Sequence, residues 1–144
     1  MTSVSKILVA VDFSENSARA LETAIDLAKK FGASIDLVHA YDIPIPAVYP
    51  YEVTIPDSLI TESRRIATEK LATDKKTVEE AGITAETHLA EVPAAGAIVR
   101  VAEELGSDLL VMGTRGNTGL KHIILGSVAE RTLRHSPCSV VIVK

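Results

Sequence analysis

The chain has 144 residues, of which 47% are hydrophobic and 24% charged, and its formal net charge is −4. This acidic balance, with no Trp, two Phe and three Tyr, argues against a basic, base-stacking nucleic-acid surface. No apolar run approaches the ~20 residues of a membrane helix, and the first residues lack the pattern of a signal peptide. The length fits one domain spanning residues 1–144. Because the single cysteine, Cys138, fits a reducing compartment, we expect this domain to be cytoplasmic.

The first half of the chain predicts two buried strands joined by a helix, and then a longer helix. Lys6–Val11 is a continuous apolar run of strand type, and the helical spacing that follows it ends at Gly32. Ser34–Ala40 is a second strand. The proline-rich segment Asp42–Pro56 is predicted to be a loop, and the long amphipathic helix after it ends at Gly82.

The second half of the chain continues the alternation of strands and helices. The pattern of Thr84–Ala90 predicts a strand with one solvent-facing side. Pro93 opens a helix that ends at Gly106, and Leu109–Met112 is a strand buried on both faces. After a glycine-rich stretch and a short helix, Ser139–Lys144 is the final strand.

This order of elements predicts the fold class. Strands that alternate with helices form βαβ units and a parallel sheet covered on both faces, here a three-layer, doubly wound α/β domain. In such sheets ligands bind at the carboxyl ends of the strands, where the strand order reverses. We therefore expect function at three segments: the turn Val11–Ser14, the strand end Val38–Ala40 and the glycine-rich stretch after Met112.

The stretch after Met112 contains Gly113-x-x-Gly116 and, nine residues later, Gly126-Ser127. It is neither a Walker loop, whose G-x-x-x-x-G-K-[ST] pattern is absent, nor a dinucleotide-binding G-x-G-x-x-G fingerprint. Glycines let backbone N–H groups approach an anion, and Ser127 opens a helix whose positive dipole end faces the crevice. On the phosphate-site interpretation, a bulky residue at Gly126 is expected to weaken phosphate binding with little change in fold.

Other residues of this stretch leave two interpretations open. Arg115, Lys121 and His122 are able to supply positive charge to a phosphate. Alternatively, the glycines only turn the chain, and Ser127-Val-Ala-Glu130 forms a capping box in which the serine and the glutamate satisfy each other's backbone donors. Spacing alone does not decide between a phosphate site and a simple connection.

Several stretches of the chain match a known family in sequence and in order. Gly113-Thr-Arg-Gly116 with Gly126-Ser127 fits a G-x2-G-x9-G-[ST] signature, and Ile7–Ser14 and Asp108–Gly113 fit a first strand with its turn and a fourth strand. His135–Lys144 fits a typical ending. In these features the chain resembles the ATP-binding branch of the universal stress protein family, and the resemblance favours the phosphate site.

The resemblance implies a fold and a set of contacts. It implies strand order 3-2-1-4-5, the Rossmann-like fold of adenine nucleotide alpha hydrolases, and a nucleotide across the ends of the first, second and fourth strands. The adenine and ribose contacts that it implies are Ala10, Val11, Asp12 and Ala40. The phosphate contacts that it implies are Met112, Gly113, Thr114, Arg115, Gly116, Asn117, Thr118, Gly126, Ser127 and Val128.

Three kinds of titratable residue are candidates for chemistry. Asp12 is interpreted as a ribose contact, the alternatives being a cap of the first helix, which Ser14 is equally suited to fill, or a metal ligand. No histidine pair has metal-ligand spacing, so His39, with the histidines at 88 and 135, is assigned a structural or solvent role, and His122 a minor phosphate contact. Cys138 is expected to be a small core residue rather than a nucleophile. The sequence therefore assigns no catalytic residue and no metal ligand.

The functional expectation is a nucleotide-dependent regulatory or signalling module in the stress response. Its expected ligand is ATP, with ADP or AMP as alternatives and Mg²⁺ accompanying ATP. The alternatives are a slow ATP hydrolase and a ligand-free protein-interaction module. We also expect a homodimer through Ser139–Lys144, which has five uncharged residues before its lysine, and a further protein partner that the sequence does not identify.

Overall fold

The computed structural model describes residues 3–42, 55–115 and 125–144. In chain order the strands are β1 (Lys6–Ala10), β2 (Ser34–Tyr41), β3 (Ala85–Glu91), β4 (Leu109–Gly113) and β5 (Ser139–Val143). The helices are α1 (Glu15–Phe31), α2 (Asp57–Glu80), α3 (Ala94–Leu105) and α4 (Ser127–His135). The strands form one parallel sheet in the order β3-β2-β1-β4-β5, which confirms the predicted fold class and strand order.

Two apolar layers hold the helices against the sheet. Successive side chains of a strand point to opposite faces, so Ile7 and Val9 join the layer under α1 and α2, whereas Leu8 joins the layer under α3 and α4. The central strands β1 and β4 are buried on both faces, as predicted for Leu109–Met112. Each fully buried aliphatic side chain contributes about 1.5–3 kcal/mol to the free energy of folding, relative to an exposed one. The buried sheet therefore provides a stable scaffold for the segments at the ends of its strands.

Helix ends follow the sequence signals closely. Gly32 and Gly106 adopt left-handed conformations, with φ of 68° and 62°, and end α1 and α3 as predicted. Ser14 is the N-cap of α1, and its hydroxyl accepts from the backbone N–H of Ser17 at 3.1 Å. Asp12 is therefore not the direct cap, and the role suggested as an alternative for it belongs to Ser14.

The start of α4 contradicts the capping-box interpretation. The N-cap is Gly126, and Ser127 is the first helical residue, so its hydroxyl does not stand at the cap position. The side chain of Glu130 instead pairs with Arg134 one turn further on. The N-terminus of α4 consequently has no side-chain cap, and its first N–H groups lack the partner that a capping box provides.

The order of the strands fixes where a ligand crevice forms. From β1 the chain builds outward to β2 and β3, then crosses to β4 and β5 on the other side. The reversal places the crevice at the carboxyl ends of β1 and β4. Within the three described ranges, none of the helices has the length and apolar character needed to cross a membrane.

Candidate functional site

A cavity of about 340 Å³ lies at the carboxyl ends of β1, β2 and β4. Most of the residues that the sequence assigned to a ligand line it. They are Ala10, Val11, Asp12, Ala40, Met112, Gly113, Arg115, Gly126, Ser127 and Val128. We call Ala10, Val11, Asp12 and Ala40 the nucleoside side, and Arg115, Gly126, Ser127 and Val128 the phosphate side, after the contacts that the family resemblance implies for them.

The remaining predicted contacts fall into two groups. Thr114 does not line the cavity, because it is buried and its backbone N–H donates to the carbonyl oxygen of Val143 at 3.0 Å. Gly116, Asn117 and Thr118 lie outside the described residues. The same holds for Lys121 and His122 and for most of the predicted loop, including Tyr49 and Tyr51.

Six further residues line the cavity, and four of them lie outside the three segments where function was expected. The six are Ser17, Val38, His39, Ala94, Ile98 and Ala129. Val38 and His39 belong to the predicted strand end Val38–Ala40, although only Ala40 was assigned a ligand contact. Ala94 and Ile98 lie one turn apart on α3, whose first turns flank the cavity.

The β1–α1 turn on the nucleoside side is closed by side-chain hydrogen bonds. A carboxylate oxygen of Asp12 accepts from the backbone N–H and the hydroxyl of Ser14, at 3.0 and 2.5 Å. The hydroxyl of Ser17 in turn accepts from the backbone N–H of Asp12 at 3.1 Å. With the cap bond between Ser14 and Ser17, these contacts form a ring that fixes where Asp12 stands at the cavity.

Phe13 and His39 pack against each other and stabilise this turn. Phe13 has φ of 65°, uncommon for a residue other than glycine, and its ring lies 4.4 Å from that of His39, centroid to centroid. The Nδ1 atom of His39 is 2.8 Å from the carbonyl oxygen of Val11. A carbonyl only accepts, so Nδ1 carries the proton. His39 thus has the predicted structural role and also lines the cavity.

Burial shifts the charge states around His39. Removal from water lowers the pKa of His39, although its hydrogen bond to Val11 and the carboxylate of Asp12 act in the opposite direction. Burial also raises the pKa of Asp74 on α2, an effect that His39 partly offsets. At neutral pH the imidazole is therefore held in its neutral form beside the nucleoside side of the cavity.

The two described ends of the glycine-rich stretch meet on the phosphate side. The backbone N–H of Gly126 donates to the carbonyl oxygen of Thr114. A Cβ at Gly126 would lie 3.0 Å from that oxygen and 3.3 Å from the Cα of Arg115. These contacts are tighter than ordinary packing, so we now expect a bulky residue at Gly126 to strain the protein's own backbone as well as to weaken phosphate binding.

Asn16 ties the same region to α1 and β5. Its amide nitrogen donates to the carbonyl oxygen of Val143 at 3.1 Å, and its amide oxygen accepts from the backbone N–H of Arg115 at 3.0 Å. Gly113 packs directly on this amide, since an added Cβ would lie 2.7 Å from the Cγ of Asn16. The first glycine of the motif thus makes room for a buried side chain.

The charges facing the cavity suit an anionic ligand. Among the described lining residues, Arg115 is the cation and Asp12 the carboxylate. The N-terminus of α4 adds N–H groups and the positive end of a helix dipole through Ser127 and Val128. No group of three or more potential metal ligands exists within the ranges that the structure describes.

The other titratable residues discussed above lie away from the cavity. His88 contacts a carboxylate oxygen of Asp36 at 2.9 Å, and His135 is exposed at the end of α4. Cys138 is half-buried against the layer under α3 and α4, with its sulfur 3.7 Å from the hydroxyl of Ser136. These positions agree with the structural or solvent roles expected for them.

Comparison with known proteins gives a consistent result. A family model described as the universal stress protein family matches residues 3–144. A universal stress protein of Methanocaldococcus jannaschii is 38% identical over 141 residues, covering 96% of this chain and 81% of the relative. The universal stress protein YxiE of Bacillus subtilis is 35% identical over 146 residues, covering 97% and 99%. A solved universal stress protein in complex with cAMP has a TM-score of 0.74, 26% identity and 99% coverage of both chains.

Proposed function

The chain belongs to the universal stress protein family, and on this basis we propose that it is an adenine-nucleotide-binding regulatory or signalling module of the stress response. The observation that carries the proposal is the cavity at the strand ends, lined by most of the residues assigned to a nucleotide. The related protein in complex with cAMP supports an adenine nucleotide as the class of ligand. We propose ATP as the principal ligand, with ADP and AMP as weaker ones.

The cavity offers a different environment to each part of ATP. Apolar side chains, among them Ala10, Ala40 and Met112, provide the flat, dry surroundings that a base needs. Asp12 lies just beyond the carboxyl end of β1, where its carboxylate can accept a hydrogen bond from a ribose hydroxyl. Arg115 and the uncapped N-terminus of α4 provide the positive charge that stabilises phosphates.

Mg²⁺ fits this site only as a companion of the phosphates. The ion prefers six oxygen ligands and usually keeps several waters with one or two carboxylates and the phosphate oxygens. The described lining supplies one carboxylate, Asp12. The chain's own part would be to orient the triphosphate, while the ion neutralises phosphate charge.

Direct detection of the ligand tests the proposal. The purified protein is denatured and any released nucleotide identified by chromatography; calorimetry then compares ATP, ADP, AMP and GTP. Ala94→Leu, which fills the cavity, is expected to weaken ATP binding by more than about tenfold. Ala95→Leu is the matched control, since Ala95 is also half-buried in the first turn of α3 but does not line the cavity. Equal affinities in both variants would place the ligand elsewhere.

We propose that any ATP hydrolysis is slow and is not the main function. Hydrolysis requires an oriented water and a base. Among the lining residues that the structure describes, we assign that role to neither His39, which is hydrogen-bonded to Val11, nor Asp12, which is hydrogen-bonded to Ser14. Enzymes typically turn over ~10 times per second. A phosphate-release rate in that range, abolished by Asp12→Ala, would make the protein a hydrolase.

The ligand-free alternative predicts a different outcome of the same assays. A protein-interaction module without a ligand would release no nucleotide and show no heat with ATP at high concentration. We favour nucleotide binding because the glycine motif is complete in the sequence and its two described ends face the cavity. The single cysteine favours a cytoplasmic location, where ATP is abundant.

We further propose a homodimer formed through β5. This strand lies at the outer edge of the sheet, carries no charge from Ser139 to Val143, and leaves Val140 to Val143 half-buried. Such an edge is a template for a second copy. Val141→Lys is expected to shift the protein to monomer in light scattering. Thr87→Lys, on the exposed face of the opposite edge strand β3, should not. A monomeric wild type at high micromolar concentration would end the proposal.

A further inference from the structure

We infer that Asn16 is a positioning residue for the phosphate side of the cavity, an inference that rests on the proposed nucleotide binding. Asn16 is the second residue of α1 and only 4% exposed. It does not line the cavity. Its effect on a ligand must therefore pass through the residues that its amide holds.

Both ends of the Asn16 amide are used, by partners distant in sequence. The amide nitrogen donates to the carbonyl oxygen of Val143, 127 positions away, and the amide oxygen accepts from the N–H of Arg115, 99 positions away. Buried polar groups cost free energy unless they are paired, so this geometry is strongly selected over a displaced side chain. Only a side chain with a donor and an acceptor at this reach satisfies both partners.

The point that Asn16 holds is where the chain leaves β4 and turns into the phosphate side. Arg115 lines the cavity, and its neighbour Thr114 accepts from the N–H of Gly126, the N-cap of α4. A shift of the Arg115 backbone therefore also shifts the residues at which α4 begins. The geometry of charges that we assign to phosphates thus depends on one buried amide.

The nucleoside side is held by separate contacts. The N–H of Val11 donates to the carbonyl oxygen of Val38, and the turn beyond it is closed by Asp12, Ser14 and Ser17. Asn16 makes no side-chain hydrogen bond to any of these residues in the described part of the chain. Loss of the amide should therefore change phosphate binding and leave nucleoside binding nearly intact.

The ratio of ATP to adenosine affinity separates these two effects. ATP and adenosine are titrated into wild type, Asn16→Ala and Ser17→Ala, using NMR for weak binding. Ser17 is the matched control, since it adjoins Asn16 and is equally buried, but its hydroxyl supports Asp12. Folding is verified by circular dichroism at the titration temperature.

Asn16→Ala is expected to weaken ATP binding about five- to tenfold and adenosine binding less than about twofold. Ser17→Ala is expected to weaken both by a similar factor, because ATP contains the nucleoside. Equal losses of the two ligands in Asn16→Ala, or no loss of either, would overturn the inference. A wild type that binds neither ligand would instead contradict the proposed function.

Hydrogen exchange in the wild type tests the same contact without a substitution. The amide proton of Arg115 should be protected from exchange, because it donates to the side-chain oxygen of the buried Asn16. Exchange of that proton at the rate of an unprotected amide would show that Asn16 does not fix the phosphate side, whichever variants fold.

Discussion

Two connections lead from the central strands into the cavity, and they are built in opposite ways. The turn between β1 and α1 contains no glycine; side chains of Asp12, Ser14 and Ser17 close it by hydrogen bonds, and Phe13 accepts a positive φ. The connection between β4 and α4 has glycines at both described ends, where backbone meets backbone or a buried amide. The first connection is held by side-chain hydrogen bonds, whereas the second depends on glycines, whose missing side chains let other groups pack closely.

The difference teaches how each side of the cavity should fail. A hydrogen-bonding side chain can be removed with the loss of one or two contacts, since water or a small adjustment replaces part of them. A methyl group added beside backbone has nowhere to go unless the chain moves. We therefore expect substitutions in the turn on the nucleoside side to lower the free energy of unfolding by small amounts, and substitutions of the glycines on the phosphate side to lower it by larger ones.

Gly113→Ala is expected to have the largest effect, lowering the free energy of unfolding by about 3 kcal/mol. The new Cβ would lie 2.7 Å from the Cγ of Asn16 and force the amide from its partners. Gly96→Ala in α3 is the matched control: outside the backbone of its own helix, no atom of the described structure lies within 4 Å of the added Cβ, so this change should stabilise the protein by about 0.5–1 kcal/mol. Denaturant unfolding measures both changes.

The same pair of positions gives a sharper test through a double-mutant cycle. Once Gly113→Ala has displaced the Asn16 amide, Asn16→Ala should cost much less than it does in the wild type, since it removes the overlapping atoms. Strictly additive free energies of unfolding would mean that the two residues are not in contact.

Gly126→Ala is expected to come next, at about 1–2 kcal/mol. Its Cβ would approach the carbonyl oxygen of Thr114 to 3.0 Å, a tighter contact than ordinary packing but one that a small shift can relieve. Unfolding and ATP titration should both show a loss. A variant with normal stability but weak ATP binding would restore the simpler view that this glycine only serves the ligand.

On the other connection, Ser14→Ala should lower the free energy of unfolding by about 1 kcal/mol through loss of the α1 cap. Ser58→Ala is the control, because Ser58 is exposed in the first turn of α2 without being its cap. That change should stay within about 0.5 kcal/mol. A loss at Ser14 as large as that at Gly113 would remove the contrast between the two connections.

The smallest expected effect is a pH dependence from His39. Burial lowers the pKa of His39 from 6.5 in the folded protein. As the pH decreases below 6.5, the unfolded chain therefore binds the proton before the folded protein does, and the free energy of unfolding decreases. The slope cannot exceed about 1.4 kcal/mol per pH unit for one proton. His39→Asn, which keeps a donor for Val11, should flatten this slope between the lowered pKa and 6.5 in unfolding measurements. An unchanged slope would assign it to another group.

Sequence patterns were sufficient for the fold because its signals are local. Runs such as Leu109–Met112 and C-cap glycines such as Gly32 and Gly106 carry their structural meaning within a few residues, and the structure confirms each. The helix α4 begins at Ser127, as predicted, whereas the alternative capping box at Ser127 is wrong, because the backbone geometry makes Gly126 the N-cap.

The site was predicted less completely because part of it depends on distant contacts. Asn16 looks like an ordinary polar residue in the first turn of a helix, where solvent exposure is the usual outcome. Its partners Arg115 and Val143 are far away in the sequence, so no local pattern reveals the buried amide. Thr114 was assigned to the ligand by its place in the motif, yet its backbone turns to Val143.

The carbonyl oxygen of Val143 accepts from both the N–H of Thr114 and the amide of Asn16, and we expect both hydrogen bonds to form late in folding. During synthesis α1 and β4 leave the ribosome before residue 143, so both donors wait for β5 to join the sheet. Closing such long-range contacts is slow compared with forming helices. A nascent chain should therefore acquire nucleotide affinity late, and nucleotide would act as a selective ligand for chains whose last strand is already in place.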